Sequence, residues 1–167
     1  MKRLFAGIFL ALLLCGCASA EADDTLHFYY PRVEYTQNAT DSVITTENRE
    51  NVGFSSTADI LNTYMKGPTD PLLRNPFPAD LQILSVYIMA DTVYITVSDN
   101  LGTLTGTDLV LACTALGQTT AEITGVQVAQ ICCETVKLDG VKYFTVSSDT
   151  VYYLDSVPEE TATPTTE

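Results

Sequence analysis

The chain has 167 residues, 46% of them hydrophobic, with 8 basic and 21 acidic side chains, which fits one domain with tails rather than two compact domains. A formal net charge of −13 disfavours nonspecific binding to nucleic acid or to an anionic membrane surface. Twelve of the first 16 residues are apolar, so the hydrophobic excess is concentrated at one end and a polytopic membrane protein is excluded.

Met1-Lys2-Arg3 gives a positive start, Leu4 to Leu14 an apolar run, and small residues follow at once, the pattern of a secretory signal. A bilayer span needs about 20 apolar residues, so this run is too short for an ordinary transmembrane helix. Two cleavage sites compete. Leu14-Cys15-Gly16-Cys17 resembles the bacterial lipobox, with cleavage before Cys17, and Ala18-Ser19-Ala20 suits an ordinary signal peptidase. The position directly after the apolar run favours the lipobox. That resemblance implies a diacylglyceryl thioether on the Cys17 sulfur and a palmitate-class chain on its amine, a durable anchor at about 0.8 kcal/mol per buried CH₂. Residues 1–16 are then a lipoprotein signal peptide and residues 17–25 a lipidated leader. The leader's seven residues Ala18 to Asp24 reach at most about 25 Å, which keeps the folded part close to the bilayer. Without the signal, 6 basic and 21 acidic residues remain, a net charge of −15.

Leu26 to Tyr30, closed by Pro31, reads as a first strand, and Ser42 to Thr46 as a short second one. Gln37 to Asp41 and Glu47 to Asn51 read as exposed polar loops. Asn38-Ala39-Thr40 matches an N-glycosylation acceptor, but the lipobox argues for a bacterium and against its use. Ser56 or Thr57 caps a helix that places Ile60, Leu61, Tyr64 and Met65 on one face, and Gly67-Pro68 ends it. Pro71, Pro76 and Pro78 enforce an extended connection up to Asp80. Leu81 to Met89 and Thr92 to Ser98 form a hairpin that turns at Ala90-Asp91, with one buried and one wet face. Thr107-Asp108 opens a second helix with a stripe through Leu109, Ala112, Cys113 and Leu116, ending before Gly125. Val126 to Glu134 is a strand. Leu138-Asp139-Gly140-Val141 is a tight turn into Lys142 to Val146, with a further edge strand at Thr150 to Leu154. Residues 158–167, with two prolines and three glutamates, read as a disordered acidic tail.

The element order β(β)-α-β-β-α-β-β predicts an α+β fold: a small antiparallel or mixed sheet with both helices packed on one face. Roughly 130 ordered residues bury about two thirds of their surface, enough for a core without metal or disulfide.

The chemistry-bearing residues are sparse. The sole histidine is His27, and no Cys-x-x-Cys occurs, so no zinc or haem ligand set is present and no cofactor is expected. Cys113, Cys132 and Cys133 remain once Cys15 and Cys17 are assigned to the signal and the lipid. They read as small buried hydrophobes, with a pairing of Cys113 to Cys132 or Cys133 left open. Asp23-Asp24, Glu47/Glu50 and Glu159-Glu160 read as solvated charge. With no activated nucleophile, acid–base pair, metal set or phosphate cradle in the sequence, the chain is not expected to be an enzyme. Tyr29, Tyr30, Tyr35, Tyr152 and Tyr153 form a candidate aromatic surface for a partner or a glycan if their strands are neighbours.

Several strings resemble the GerMN domain of sporulation and germination lipoproteins and other exported lipoproteins of Gram-positive bacteria. They are Leu26-His27-Phe28-Tyr29, Met65-Lys66-Gly67-Pro68-Thr69 and Asn75-Pro76-Phe77-Pro78-Ala79-Asp80, then Leu81 to Val86, Thr92 to Ser98 and Ile123-Thr124-Gly125-Val126. The likeness runs from about Leu26 to Ile131 and places a GerMN-like domain at residues 26–157. Ala79 stands where the family usually has glycine, and the hairpin tip Ala90-Asp91 also lacks one. The family resembles ring-building motifs of envelope assemblies, which implies the fold above, protein–protein interaction and no known catalytic residues. The expectation is an extracytoplasmic lipoprotein, anchored to the cell membrane through Cys17, that binds an envelope protein or itself and no nucleic acid. The alternative is a ligand-binding lipoprotein for a small molecule or wall fragment.

Overall fold

The computed structural model describes residues 25–34, 42–51 and 53–149. The signal, Cys17, Tyr35, the Asn38-Ala39-Thr40 site, the strand expected at Thr150 to Leu154 with Tyr152 and Tyr153, and the acidic tail lie outside them.

Strand β1 (Thr25–Pro31) pairs antiparallel with β2 (Ile44–Glu50), setting Phe28 opposite Glu47 and Tyr30 opposite Thr45. Phe28 and Tyr30, two residues apart, share the buried face. The second strand runs on through Glu47 to Glu50, where the sequence suggests a loop. Its polar residues are tolerated in the ladder because Glu47 and Arg49 pair with each other, with Arg49 Nε donating to Glu47 at 2.5 Å.

Helix α1 (Thr57–Tyr64) begins where its cap requires. The Ser56 hydroxyl accepts from the Asp59 N–H at 3.2 Å and donates to the Asp59 carboxylate at 2.9 Å. Ile60, Leu61 and Tyr64 are buried along one side, as their spacing predicts. The chain leaves the helix through Gly67 at φ +97°, where a Cβ would press on the Asn75 side chain at 3.0 Å. Asn75 in turn secures the proline-rich connection: its amide donates to the Met65 carbonyl at 3.2 Å and its oxygen accepts from the Phe77 N–H at 3.1 Å.

Strands β3 (Ile83–Met89), β4 (Thr92–Val97), β5 (Val128–Cys133) and β6 (Phe144–Ser147) form a four-stranded sheet in the order β3-β4-β5-β6. The β3–β4 and β5–β6 pairs are antiparallel and β4–β5 is parallel. Parallel neighbours need a long crossover, and helix α2 (Gly106–Thr124) supplies it. At Leu138 to Val141 the Asp-Gly signal holds, with Asp139 and Gly140 both at positive φ and Leu138 and Val141 exchanging backbone hydrogen bonds at 3.0 and 2.9 Å.

The fold is α+β as expected, but its strands divide between two sheets, and α2 lies between the β1–β2 ribbon and the four-stranded sheet. Leu109, Ala112, Cys113 and Leu116 join the main core with Val93, Ile95, Ala129 and Ile131. Leu111 and Ala115, on another side of the helix, pack with Val43 and Ile44 of the ribbon region. A helix covered on two sides needs small residues where backbones come close. Gly117 meets this need against β6, since a Cβ there would lie 2.7 Å from Val146 Cβ.

Candidate functional site

The tyrosines proposed as a partner surface do not assemble as one among the described residues. Tyr30 is fully buried and is corrected to a core residue. Its hydroxyl donates to the Tyr64 carbonyl and the Tyr64 hydroxyl donates to the Tyr29 carbonyl, both at 2.6 Å, so the ring and its polar end are satisfied inside. Burial pushes both phenols up. Tyr29 is half-buried, and its hydroxyl donates to Glu122 at 2.6 Å. Burial first, and then the Glu122 carboxylate, push its phenol up to about 12. Tyr35, Tyr152 and Tyr153 lie outside the described residues.

His27 is paired with the same Glu122, so imidazole, carboxylate and phenol form a surface chain from β1 to α2. Among the described residues no hydrogen bond brings a serine or cysteine to the imidazole, and no three of the His, Cys, Asp and Glu residues stand close enough to hold a metal. The cluster ties the ribbon to α2. The thiols of Cys113, Cys132 and Cys133 are free, and burial raises the pKa of Cys113 and Cys133.

Glu47 is not a solvated loop charge but a clasp, only 8% exposed. It accepts from the Thr69 N–H at 2.8 Å, the Thr69 hydroxyl at 3.0 Å and the Asp70 N–H at 3.1 Å, as well as from Arg49. Burial by itself would raise its pKa; the hydrogen bonds from Asp70, Arg49 and Thr69 outweigh it and hold the carboxyl below its usual range. Arg49 also donates to the Gly67 carbonyl at 2.8 Å, so the Gly67-Pro68-Thr69 turn is fastened to β2 from both sides.

The feature left open is β3. It is an edge strand, and among the described residues no strand pairs with its outer side. Leu84, Tyr87, Ile88 and Met89 are 44%, 51%, 52% and 59% exposed, which concentrates four of the large exposed apolar side chains on one seven-residue strand. A groove of about 330 Å³ runs beside it, lined by Ser56, Thr57 and Ala58 at the start of α1, by Val86, Tyr87 and Ile88, and by Thr124. On the sheet face turned away from the helices, Tyr87 stacks on Tyr94 with centroids 4.9 Å apart, and Tyr143 meets Tyr94 edge-on at 6.2 Å. The strands on this face carry uncharged residues such as Thr96, Gln130, Cys132 and Thr145. Exposed apolar edges are normally blunted by lysine, proline or cover, and β3 has neither residue. Its nearly unbroken apolar sequence reads equally well as a buried strand, and for that reason sequence alone does not reveal it.

Two helices, a strand ribbon and a mixed four-stranded sheet make up an α+β fold like that of GerMN domains. Residues 27–140 match the family pattern of Germane, described as sporulation and spore germination, and the chain belongs to that family. The first GerMN domain of the sporulation protein GerM from Bacillus subtilis superposes with a TM-score of 0.55 at 15% identity, covering 71% of this chain and 90% of that one. The tandem GerMN domains of the same protein give 0.54 at 18% identity, over 74% of this chain and 45% of theirs, so the chain spans less than half of the tandem. At these identities the likeness is one of fold. No curated protein matches the chain.

Proposed function

We propose that the protein is an extracytoplasmic lipoprotein, anchored to the cell membrane through Cys17, whose GerMN domain holds an envelope protein close to the bilayer during sporulation or germination. The observation that carries this reading is the β3 edge: an exposed apolar strand whose outer side has no strand partner among the described residues, on a chain otherwise rich in acid. Such an edge offers backbone donors and acceptors to an incoming strand and apolar side chains to its flanks. The lipobox and short leader fix where the partner is met, and the Glu47 clasp keeps the connection after α1 in place. Membership of the sporulation and germination family supports the setting. The alternative, a pocket for a small molecule or wall fragment, rested on tyrosines of which Tyr30 is buried and Tyr29 is bonded to Glu122.

The test is complementation in the native organism. A strain lacking the gene receives wild type, Cys17→Ala or Ile88→Lys, and spore yield and germination are scored with membrane fractionation and fatty-acid labelling. Wild type restores function. Cys17→Ala is unlabelled and released, and Ile88→Lys is labelled and anchored but fails to restore. Full restoration by Ile88→Lys, or a labelled and anchored Cys17→Ala protein, overturns the proposal.

A further inference from the structure

The charges around β3 say what kind of strand it accepts. From Asn75 to Val136 the chain has no lysine or arginine, yet it carries Asp80, Asp91, Asp99, Asp108, Glu122 and Glu134. Two of these carboxylates bracket the edge: Asp80 lies three residues before β3 and Asp91 two residues after it, and both are exposed. Asp59, also exposed, stands in the first turn of α1 just beyond the Ser56, Thr57 and Ala58 wall of the groove. Between the two brackets, Leu81 to Met89 is free of charge.

A second copy of the chain fits this pattern badly. Antiparallel pairing of β3 with its own copy brings each Asp80 end to the partner's Asp91 end, and parallel pairing sets each aspartate beside its counterpart. Either arrangement places carboxylate against carboxylate between two molecules that already repel as polyanions. The complement of an apolar edge with an acidic group at each end is an apolar strand with a basic residue at each end.

Resting on the docking role proposed above, we infer that β3 accepts an extended segment of a different protein, with alternating apolar residues flanked at both ends by lysine or arginine. The segment adds a fifth strand beside β3. Side chains on one of its faces enter the groove between α1 and Ile88, those on the other lie beside Tyr87, and its basic ends meet Asp80 and Asp91. The backbone pairing gives affinity, the groove selects apolar residues, and the two aspartates set register and reject acidic strands.

The test uses the full-length lipoprotein in nanodiscs of neutral phosphatidylcholine, with empty nanodiscs as control. Three fluorescent peptides share the core Val-Thr-Val-Tyr-Val-Thr and carry two lysines, two serines or two glutamates at each end; binding is followed by anisotropy at low salt. The lysine-flanked peptide should bind at least tenfold more tightly than the glutamate-flanked one, and the double variant Asp80→Lys/Asp91→Lys should reverse that order. Ile88→Lys, with an unchanged thermal midpoint as proof of folding, should weaken the lysine-flanked peptide at least tenfold. Equal binding of all three peptides, or an order indifferent to the double variant, overturns the inference and leaves the docking role standing. Sedimentation showing a dimer that Ile88→Lys dissolves, with no peptide bound, makes the occupant a second copy and also overturns it. If no peptide binds, no dimer forms and Ile88→Lys complements fully in cells, the docking role falls as well.

Discussion

Glu47 on β2 and Thr69 in the turn after α1 are joined twice, the Thr69 N–H donating to one carboxylate oxygen at 2.8 Å and its hydroxyl to the other at 3.0 Å. With the Asp70 N–H and Arg49 also on the carboxylate, nearly every lone pair of a buried anion is used. Glu47→Ala would leave two backbone donors and a guanidinium without their acceptor at an 8% exposed site. It should destabilise the fold by about 2–4 kcal/mol in urea titrations.

The same carboxylate makes stability depend on pH with a definite sign. The Glu47 pKa is lower in the folded state than its ordinary value of 4.5, so its contribution is fully present above that value and is lost as pH falls through the folded one. Asp99 acts in the same direction, its pKa lowered by the hydroxyl and N–H of Thr135. The urea midpoint should therefore hold above about pH 5 and fall progressively as the pH drops below it. In Glu47→Gln that fall should be shallower.

Gly117 decides how closely β6 approaches α2. An alanine there gains helix propensity, about 1 kcal/mol, but its methyl would meet Val146 Cβ, Cγ1 and Cγ2 at 2.7 to 2.9 Å. Displacing a β-branched side chain and its strand costs more than that gain. Gly117→Ala should lower stability by about 1–2 kcal/mol, and Gly117→Ala/Val146→Ala should lose less than the sum of the single variants.

Ala90, the first residue of the hairpin tip, sits at φ +53°. Glycine adopts that conformation without a Cβ penalty but loses more freedom on folding. Ala90→Gly should stabilise the domain by about 0.5–1 kcal/mol, read as a higher urea midpoint with an unchanged slope.

Elements that carry their own local signal are legible in the sequence. The Ser56 cap and the Ile60-Leu61-Tyr64 spacing define α1, strict alternation defines β4, and Asp139-Gly140 defines a turn. What is hidden depends on partners distant along the chain. Glu47 looks like a solvated charge because the Thr69 and Asp70 groups that bury it are 22 and 23 residues away. The two sides of α2 merge in a run of small residues, so only the stripe through Leu109 and Leu116 stands out and Leu111 with Ala115 does not. Tyr30 looks like a surface aromatic because its hydroxyl's partner, the Tyr64 carbonyl, belongs to the end of another element. The openness of β3 is a matter of sheet order, which no local pattern encodes.

The most direct test of docking at β3 is site-specific photo-crosslinking in sporulating native cells, with the probe at position 88 on the open edge or, as control, at the exposed Val141 beyond it. The predicted result is one discrete adduct from position 88, absent from position 141 and lost when Asp80 and Asp91 are both changed to lysine. Equal adducts from the two positions, or none from position 88 in cells that make and anchor the protein normally, would contradict it.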